Sequence, residues 1–265
     1  MYYVTCRWRH STTAANYLTE KYANVVITLG SLINLKDKPS AGWTALGLGV
    51  TKAHRDWPGL PYVKEELTDI IRDADTDGAD KGILKGRIML DEAFTEASLR
   101  DALLRRSYRV VHIASHFKFD GDGNSNDSFL LLGNKELTKL TMAQIAAIPN
   151  YFVGVELLTV SACQTAIGDQ ATRKQDEQGI EVESLGVLAQ RKGAQSVIAS
   201  LWQVADVSTS KLMAKFYQCH AAMATPVTTK AEALRQAQLD LLLNSDGKYS
   251  HPLYWAPFVI IGNWQ

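Results

Sequence analysis

Two side chains in this sequence have the type and placement for nucleophilic catalysis. Val110-Val111-His112-Ile113-Ala114-Ser115 leads into His116, and 47 positions later Glu156-Leu157-Leu158-Thr159-Val160-Ser161-Ala162 leads into Cys163. Each is an apolar, β-branched-rich run bounded by polar residues, the pattern of a strand buried on both faces of a parallel sheet. Ligands of open α/β sheets bind outside the carboxyl ends of the strands, where both residues fall. A free thiol has a pKa of about 8.5 and is mostly protonated at neutral pH, so a cysteine nucleophile needs a base. An imidazole within reach can take the thiol proton and later return it to a leaving amine. Acyl transfer of this kind also needs donors for a developing oxyanion. The backbone N–H of Cys163 and that of Phe117, in the turn beginning at His116, are the candidates.

The remaining cysteines and histidines fit this chemistry less well. His112 lies on the same strand as His116 but four residues earlier, which predicts a structural place inside the sheet. Cys219 falls in a helical pattern beside Phe216 and Tyr217 and reads as a packing residue, and Cys6 has no strand-end setting. No CxxC or clustered Cys/His spacing suits zinc, and neither a G-x-G-x-x-G after a strand nor a G-x-x-x-x-G-K-[ST] is present. Neither a metal nor a cofactor is expected, and a nucleotide-binding α/β protein has no motif to support it.

Composition narrows the setting. Lys+Arg of 28 balance Asp+Glu of 28, so bulk charge favours neither nucleic acid nor an anionic membrane. With 46% hydrophobic and 21% charged residues, the 265-residue chain can bury a large core. Its apolar runs break well short of the roughly 18 residues of a membrane-spanning helix. The first residues, Met1-Tyr2-Tyr3-Val4-Thr5-Cys6-Arg7-Trp8, lack the basic-then-apolar order of a signal peptide. Three cysteines, an odd and sparse set, suit a reducing compartment rather than a disulfide framework. The expectation is a cytoplasmic protein.

The elements that must position His116 and Cys163 are legible mainly after residue 60. Before it, Tyr22–Leu29 and Leu46–Val50 are strand candidates separated by a turn-rich loop. Leu60-Pro61 opens a helix with apolar positions at Val63, Leu67, Ile70 and Ile71. Arg87–Leu90 reads as a short strand and Thr95–Arg106 as a helix. Ser128–Leu132 reads as a strand, and the capping box at Thr141 opens another helix. Val182–Arg191, closed by Gly193, is helical, and Gln195–Leu201 is a central strand. Ser208–Met223 and Thr229–Leu243 are amphipathic helices, and Phe258–Ile261 is a closing strand. Alternation of strands and helices predicts an α/β fold, a mostly parallel sheet with helices on both faces. Gly168–Gly179 holds charge and amides but no large apolar anchor. It is either an ordinary exposed loop or a mobile control point beside the nucleophile.

Taken in order, these motifs resemble the CHAT domain, a caspase-like domain usually found beside tetratricopeptide repeats in bacterial proteins. The resemblance is carried by Val111-His112-Ile113-Ala114-Ser115-His116-Phe117, Ser128-Phe129-Leu130-Leu131-Leu132-Gly133 and Leu158–Ala166. It continues through Gly193–Asp206, Leu212-Met213, Phe216-Tyr217, Glu232–Gln238 and His251–Phe258. The separation of His116 from Cys163 also matches caspases, whose histidine lies roughly 50 residues before the nucleophile. The resemblance is firm from about residue 60 onward, which divides the chain into residues 1–58, an N-terminal segment with partial strands packing on the core, and residues 59–265, the caspase-like domain.

The resemblance implies a cysteine endopeptidase of the clan that includes separase, caspases and gingipain-like enzymes, with His116 as general acid/base and Cys163 as nucleophile. Ser161, two residues before the nucleophile, stands where caspases line the S1 pocket. Leu201-Trp202-x-Val204-x-Asp206 is similar to the separase segment whose last aspartate lies by a pocket for a basic P1 residue, so Asp206 is either a substrate-binding carboxylate or a cap on the following helix. Many members have glycine where this chain has Phe117, which keeps an N–H donor but alters the turn. No tetratricopeptide repeat occurs within these residues. The implied partners are therefore a protein substrate and a tetratricopeptide-containing regulator or N-terminal region, either in a longer chain or encoded elsewhere. The alternative is a catalytically silent caspase-like interaction module in bacterial signalling or defence.

Overall fold

Strands buried on both faces make the centre of the protein, a computed structural model that describes residues 17–33, 35, 40, 42–54, 57–75, 81–118, 128–133, 139–163, 185–202, 204–222 and 229–265. The strands are β1 (Val25–Val26), β2 (Thr44–Gly49), β3 (Ile71–Arg72), β4 (Leu84–Leu90), β5 (Val110–Lys118), β6 (Phe129–Leu131), β7 (Lys139–Thr141), β8 (Leu157–Cys163), β9 (Ser196–Ser200) and β10 (Phe258–Gly262). The main sheet runs β1-β10-β9-β8-β5-β2-β4-β3. Its pairs are parallel except β9 with β10. β6 and β7 form an antiparallel annex on the end of β5. The expected mostly parallel α/β sheet is therefore present.

Because strand side chains alternate between faces, a strand covered on both sides must be apolar at odd and even positions alike. On one face Leu46, Leu48, Val111, Ile113, Leu158, Val160 and Val197 pack under α3 (Glu96–Leu104), α4 (Met142–Ala147) and α5 (residues 185–191). On the other, Ala45, Val110, Ala114, Leu157 and Ile198 pack under α2 (Val63–Ile70), α6 (Asp206–Ala222) and α7 (Lys230–Asn244). A short α1 (Leu18–Lys21) lies against α7, where Thr19 Oγ1 donates to Gln238 Oε1 at 3.1 Å. The helix starts are held by side-chain caps. Ser98 N–H donates to Thr95 Oγ1 at 3.0 Å, and Glu232 N–H to Thr229 Oγ1 at 3.1 Å. Gln144 N–H donates to Thr141 Oγ1 at 3.1 Å while the Gln144 side chain accepts from Thr141 N–H at 2.7 Å.

α2 seats unusually low on β2, and two glycines permit it. A Cβ added at Gly49 would stand 2.5 Å from Val63 Cγ1, and one at Gly47 would stand 3.1 Å from Leu67 Cδ2. This close seat matters because α2 brings Glu66 onto the sheet. None of the described helices is long and apolar enough to cross a membrane.

At the amino ends of the strands a second buried polar cluster closes the sheet. Glu156, just before β8, accepts from Trp43 Nε1 at 3.0 Å and from Ser40 N–H at 3.1 Å. Trp43 stacks on His220 of α6, with ring centroids 3.9 Å apart and 10° between planes. Lys230 of α7 is fully buried nearby, and among the described residues its Nζ has no hydrogen-bond partner. Burial lowers Lys230 to about 8, with Glu156 opposing the shift. It also lowers His220 to about 4, where Lys230 adds to the effect and Glu156 again opposes it.

The unfolded chain binds the Lys230 proton more tightly than the folded one, so this group costs stability below about pH 8. The cost fades as pH rises toward the ordinary lysine value. Lys230→Met should therefore raise stability by about 1–3 kcal/mol at pH 7, and the gain should shrink at pH 10. Urea unfolding at the two pH values measures this. A loss at pH 7 would mean that the ammonium is held by favourable contacts.

Candidate active site

The site follows from the register of β5 and β8. These parallel neighbours pair from Val110↔Leu157 through to His116↔Cys163. Adjacent strands lie about 4.8 Å apart, so positions 116 and 163 stand side by side at the carboxyl edge of the sheet. β8 ends at Cys163. β5 runs on to Lys118 and takes up β6 through Phe117↔Leu130, which puts the Phe117 backbone in the β5–β6 ladder with its side chain buried.

His116 is almost completely buried, 1% exposed. Its Nε2–H donates to the Pro58 carbonyl at 2.8 Å, and its ring leans on Trp57 at 5.1 Å between centroids. In the neutral ring this places the lone pair on Nδ1. Burial holds His116 below its ordinary pKa. The Pro58 hydrogen bond works against that shift and nearby His54 adds to it. The imidazole is thus neutral at physiological pH, as a proton acceptor must be.

The His116 partner comes from residues 51–60, a loop whose ends are joined by Leu60 N–H donating to the Thr51 carbonyl at 3.0 Å. Asp91, at the end of β4, anchors its start. Its buried carboxylate accepts from Thr51 N–H at 2.8 Å, Thr51 Oγ1 at 2.7 Å and Lys52 N–H at 3.3 Å. Asp91 holds φ at 47°, a left-handed conformation that aspartate tolerates better than most residues. Gly133 makes room for it, since a Cβ there would overlap the Asp91 backbone. Directly beyond the loop, Tyr62 N–H donates to Asp206 Oδ2 at 2.9 Å. One segment therefore touches both His116 and Asp206.

Asp206 is the first residue of α6, in the gap between α2 and α6. Burial raises its pKa, the Tyr62 hydrogen bond lowers it, and the charge of Glu66 raises it again. Ser161 is buried on β8, paired in register with Ala114, and its Oγ has no hydrogen-bond partner among the described residues. An orphaned buried hydroxyl costs about 1–3 kcal/mol, which a ligand could recover. Cys219 is half-buried against the α6–α7 core. Desolvation raises its thiol pKa, which makes it a packing residue rather than a rival nucleophile. Cys6 and Gly168–Gly179 lie outside the described residues. Among the described residues no group of three His, Cys, Asp or Glu side chains could hold a metal ion.

Sequence reasoning missed Pro58, Trp57 and Asp91, because a backbone carbonyl and a loop anchor carry no residue signature. Glu66 was visible as a charge among the apolar helix positions Val63, Leu67 and Ile70, though its partner was not. That partner is His112, whose Nε2 lies 2.7 Å from Glu66 Oε1 with both side chains buried.

Comparisons with known proteins bear on the family and the fold. The family model of the CHAT domain matches residues 2–263. Among solved structures, the Arg specific cysteine proteinase gingipain R superposes with a TM-score of 0.52 at 10% identity, covering 83% of this chain and 46% of that one. The separase–securin complex of Saccharomyces cerevisiae matches with a TM-score of 0.47 at 12% identity, covering 90% of this chain and 12% of that one. The chain spans less than half the length of either. The gingipain likeness establishes a caspase-like fold. No curated protein sequence matches.

If Asp91 holds the loop that carries Pro58, Asp91→Asn should keep the left-handed turn but weaken the anchor. The expected loss is about 1.5–3 kcal/mol in urea unfolding. Proteolysis within residues 51–60 should also quicken. Unchanged stability together with unchanged cleavage would show that the loop is held by other contacts.

Proposed function

This chain belongs to the CHAT domain family, and on that premise we propose that it is a cysteine endopeptidase hydrolysing a protein substrate through an acyl-enzyme. The observation that carries the reading is the pairing of His116 with Cys163 in the register of adjacent parallel strands, at the carboxyl edge of the main sheet. In this mechanism His116 accepts the Cys163 proton and the thiolate attacks the scissile carbonyl carbon. The C–N bond breaks as His116 gives its proton to the leaving amine. Water, deprotonated by His116, then hydrolyses the thioester and regenerates the thiol. By their place at the carboxyl edge of the sheet, the backbone N–H groups of Cys163 and Phe117 are assigned as the oxyanion donors. Pro58 fixes the ring orientation, the part a third residue plays in other nucleophile–base pairs. The chemistry needs no cofactor.

For specificity we assign Asp206 and Ser161 to the S1 pocket and a basic side chain to P1. Supporting this are a half-buried carboxylate raised by desolvation and by its neighbour Glu66, which a cation would stabilise, and the orphaned Ser161 hydroxyl. Regulation by a tetratricopeptide-containing partner or N-terminal region is part of the same family-based proposal.

Cys163→Ala and His116→Ala should each abolish peptide cleavage while leaving thermal unfolding close to that of the parent. Because burial lowers the His116 pKa, protonation should switch the base off only below its ordinary value. The acid limb of kcat/KM should therefore fall below about pH 6.5. Parent-like turnover by Cys163→Ala would refute the mechanism and leave a silent interaction module.

Peptides differing only at P1 test the pocket. Arg should be cleaved faster than Leu or Asp, and Asp206→Asn should reduce kcat/KM for Arg by about tenfold or more. Equal or better cleavage after Leu would remove the acidic-pocket assignment.

A further inference from the structure

Beneath the dyad lies a buried chain of polar groups that the mechanism above does not use. His112 and Thr159 are cross-strand partners on β5 and β8, in the same register that pairs His116 with Cys163 four residues further on. At about 3.3 Å per residue, that layer lies about 13 Å below the dyad. The Tyr217 hydroxyl, reaching in from α6, lies 2.8 Å from Thr159 Oγ1 and 3.2 Å from His112 Nδ1, so one oxygen touches both strands. From α2, Glu66 Oε1 accepts from His112 Nε2–H at 2.7 Å. In the neutral imidazole, Nδ1 then accepts from Tyr217, whose oxygen accepts from Thr159. His112, Glu66, Thr159 and Tyr217 are all 1% exposed or less. Burial keeps the Tyr217 phenol well above its ordinary pKa, so it remains an O–H donor; the Thr159 contact opposes that shift and Glu66 adds to it.

Apolar neighbours surround this chain on the same face, including Val110, Ala114, Leu157 and Ile198. Replacing a buried polar set by apolar residues is often neutral or stabilising, so stability alone gives little reason for four polar side chains here. Geometry gives a stronger one. Hydrogen bonds fix angle and separation where apolar contacts allow sliding. Here they tie together the two strands that carry the dyad and the two helices, α2 and α6, that meet at Tyr62 and Asp206.

We propose that Tyr217 is a positioning residue for the dyad. Its hydroxyl clamps β5 to β8 through His112 and Thr159, with Glu66 holding His112, and so sets the approach of His116 to Cys163. The proposal rests on the dyad reading. It assigns no contact between Tyr217 and the reacting atoms, and its effect passes through strand alignment.

The test reads thiol activation directly, without a peptide substrate. Cys163 alkylation by iodoacetamide is followed across pH 4–10 by mass spectrometry of its peptide, for the parent, His116→Ala, Tyr217→Phe and Thr159→Val. His116→Ala should lose the fast, low-pH component of the rate. Tyr217→Phe and Thr159→Val should each slow that component about tenfold and move its pH midpoint toward that of a free thiol, with the pair together little worse than either alone. Thr159→Val, nearly isosteric, gives the answer if Tyr217→Phe fails to fold. Parent-like profiles in folded Tyr217→Phe and Thr159→Val, with His116→Ala impaired, overturn the positioning role and leave the dyad intact. Identical profiles in the parent and His116→Ala overturn the dyad reading, and this proposal with it.

Discussion

The in-register parallel pairing of β5 with β8 is the constraint on which the rest of the site depends. A parallel pair has a side-chain period of two, so a slip of one residue would exchange the faces of one strand relative to the other. It would bring an apolar residue of one strand beside a polar residue of the other. In the observed register, apolar residues of the two strands meet below, His112 meets Thr159 in the middle, and His116 meets Cys163 at the carboxyl edge. The apolar runs therefore specify which residues meet at the carboxyl edge as well as a core. Val111, Ile113, Leu158 and Val160 are buried under one helix layer, and Val110, Ala114 and Leu157 under the other.

Around that pairing the protein distributes its polar groups by height. The amino-terminal end of the sheet carries Glu156, Trp43, His220 and Lys230. The middle carries Glu66, His112, Tyr217 and Thr159, and the carboxyl end carries His116, Ser161 and the loop from Thr51 to Leu60. Satisfaction differs among the three. The middle layer is closed by mutual hydrogen bonds, which suits a rigid support. The other two hold groups without a partner among the described residues, Lys230 Nζ at one end and Ser161 Oγ at the other. An orphan at the carboxyl edge falls where α/β sheets bind ligands and reads as part of a binding surface. At the opposite edge the same expense has no functional counterpart and reads as a cost.

How much of this was legible in the sequence depended on whether a residue acts through its own run or through a distant partner. The β5, β8 and β9 segments are continuous apolar runs that only a doubly covered strand explains. Thr95, Thr141 and Thr229 announce their helices by local capping chemistry. Ladder length explains the failures. The expected Tyr22–Leu29 strand contributes only Val25–Val26, with Ile27 and Leu29 exposed at the sheet margin, and the three-residue β7 is too short to show a period. His116 was legible by its strand end. Its acceptor was not, because Pro58 contributes a backbone carbonyl delivered by a loop whose shape depends on Asp91, 33 residues away. Glu66 and Tyr217 sat in helical patterns as one charge and one aromatic, and only the fold shows that both reach His112.

The two histidines of β5 illustrate how environment divides one residue type into two roles. Both are buried on the same strand, four residues apart, yet their partners differ in kind. His112 is enclosed by a carboxylate and a phenol, with both ring nitrogens bonded to groups that are themselves buried and fixed. His116 has one nitrogen committed to a neutral carbonyl and sits at the edge where β8 ends. There desolvation favours the neutral ring. A carbonyl acceptor orients the imidazole without stabilising its cation as a carboxylate would, so the ring is held as a base at neutral pH rather than as a resident cation. The same strand thus holds one histidine in the interior and another at the carboxyl edge where β8 ends, and their settings differ in what their ring nitrogens meet.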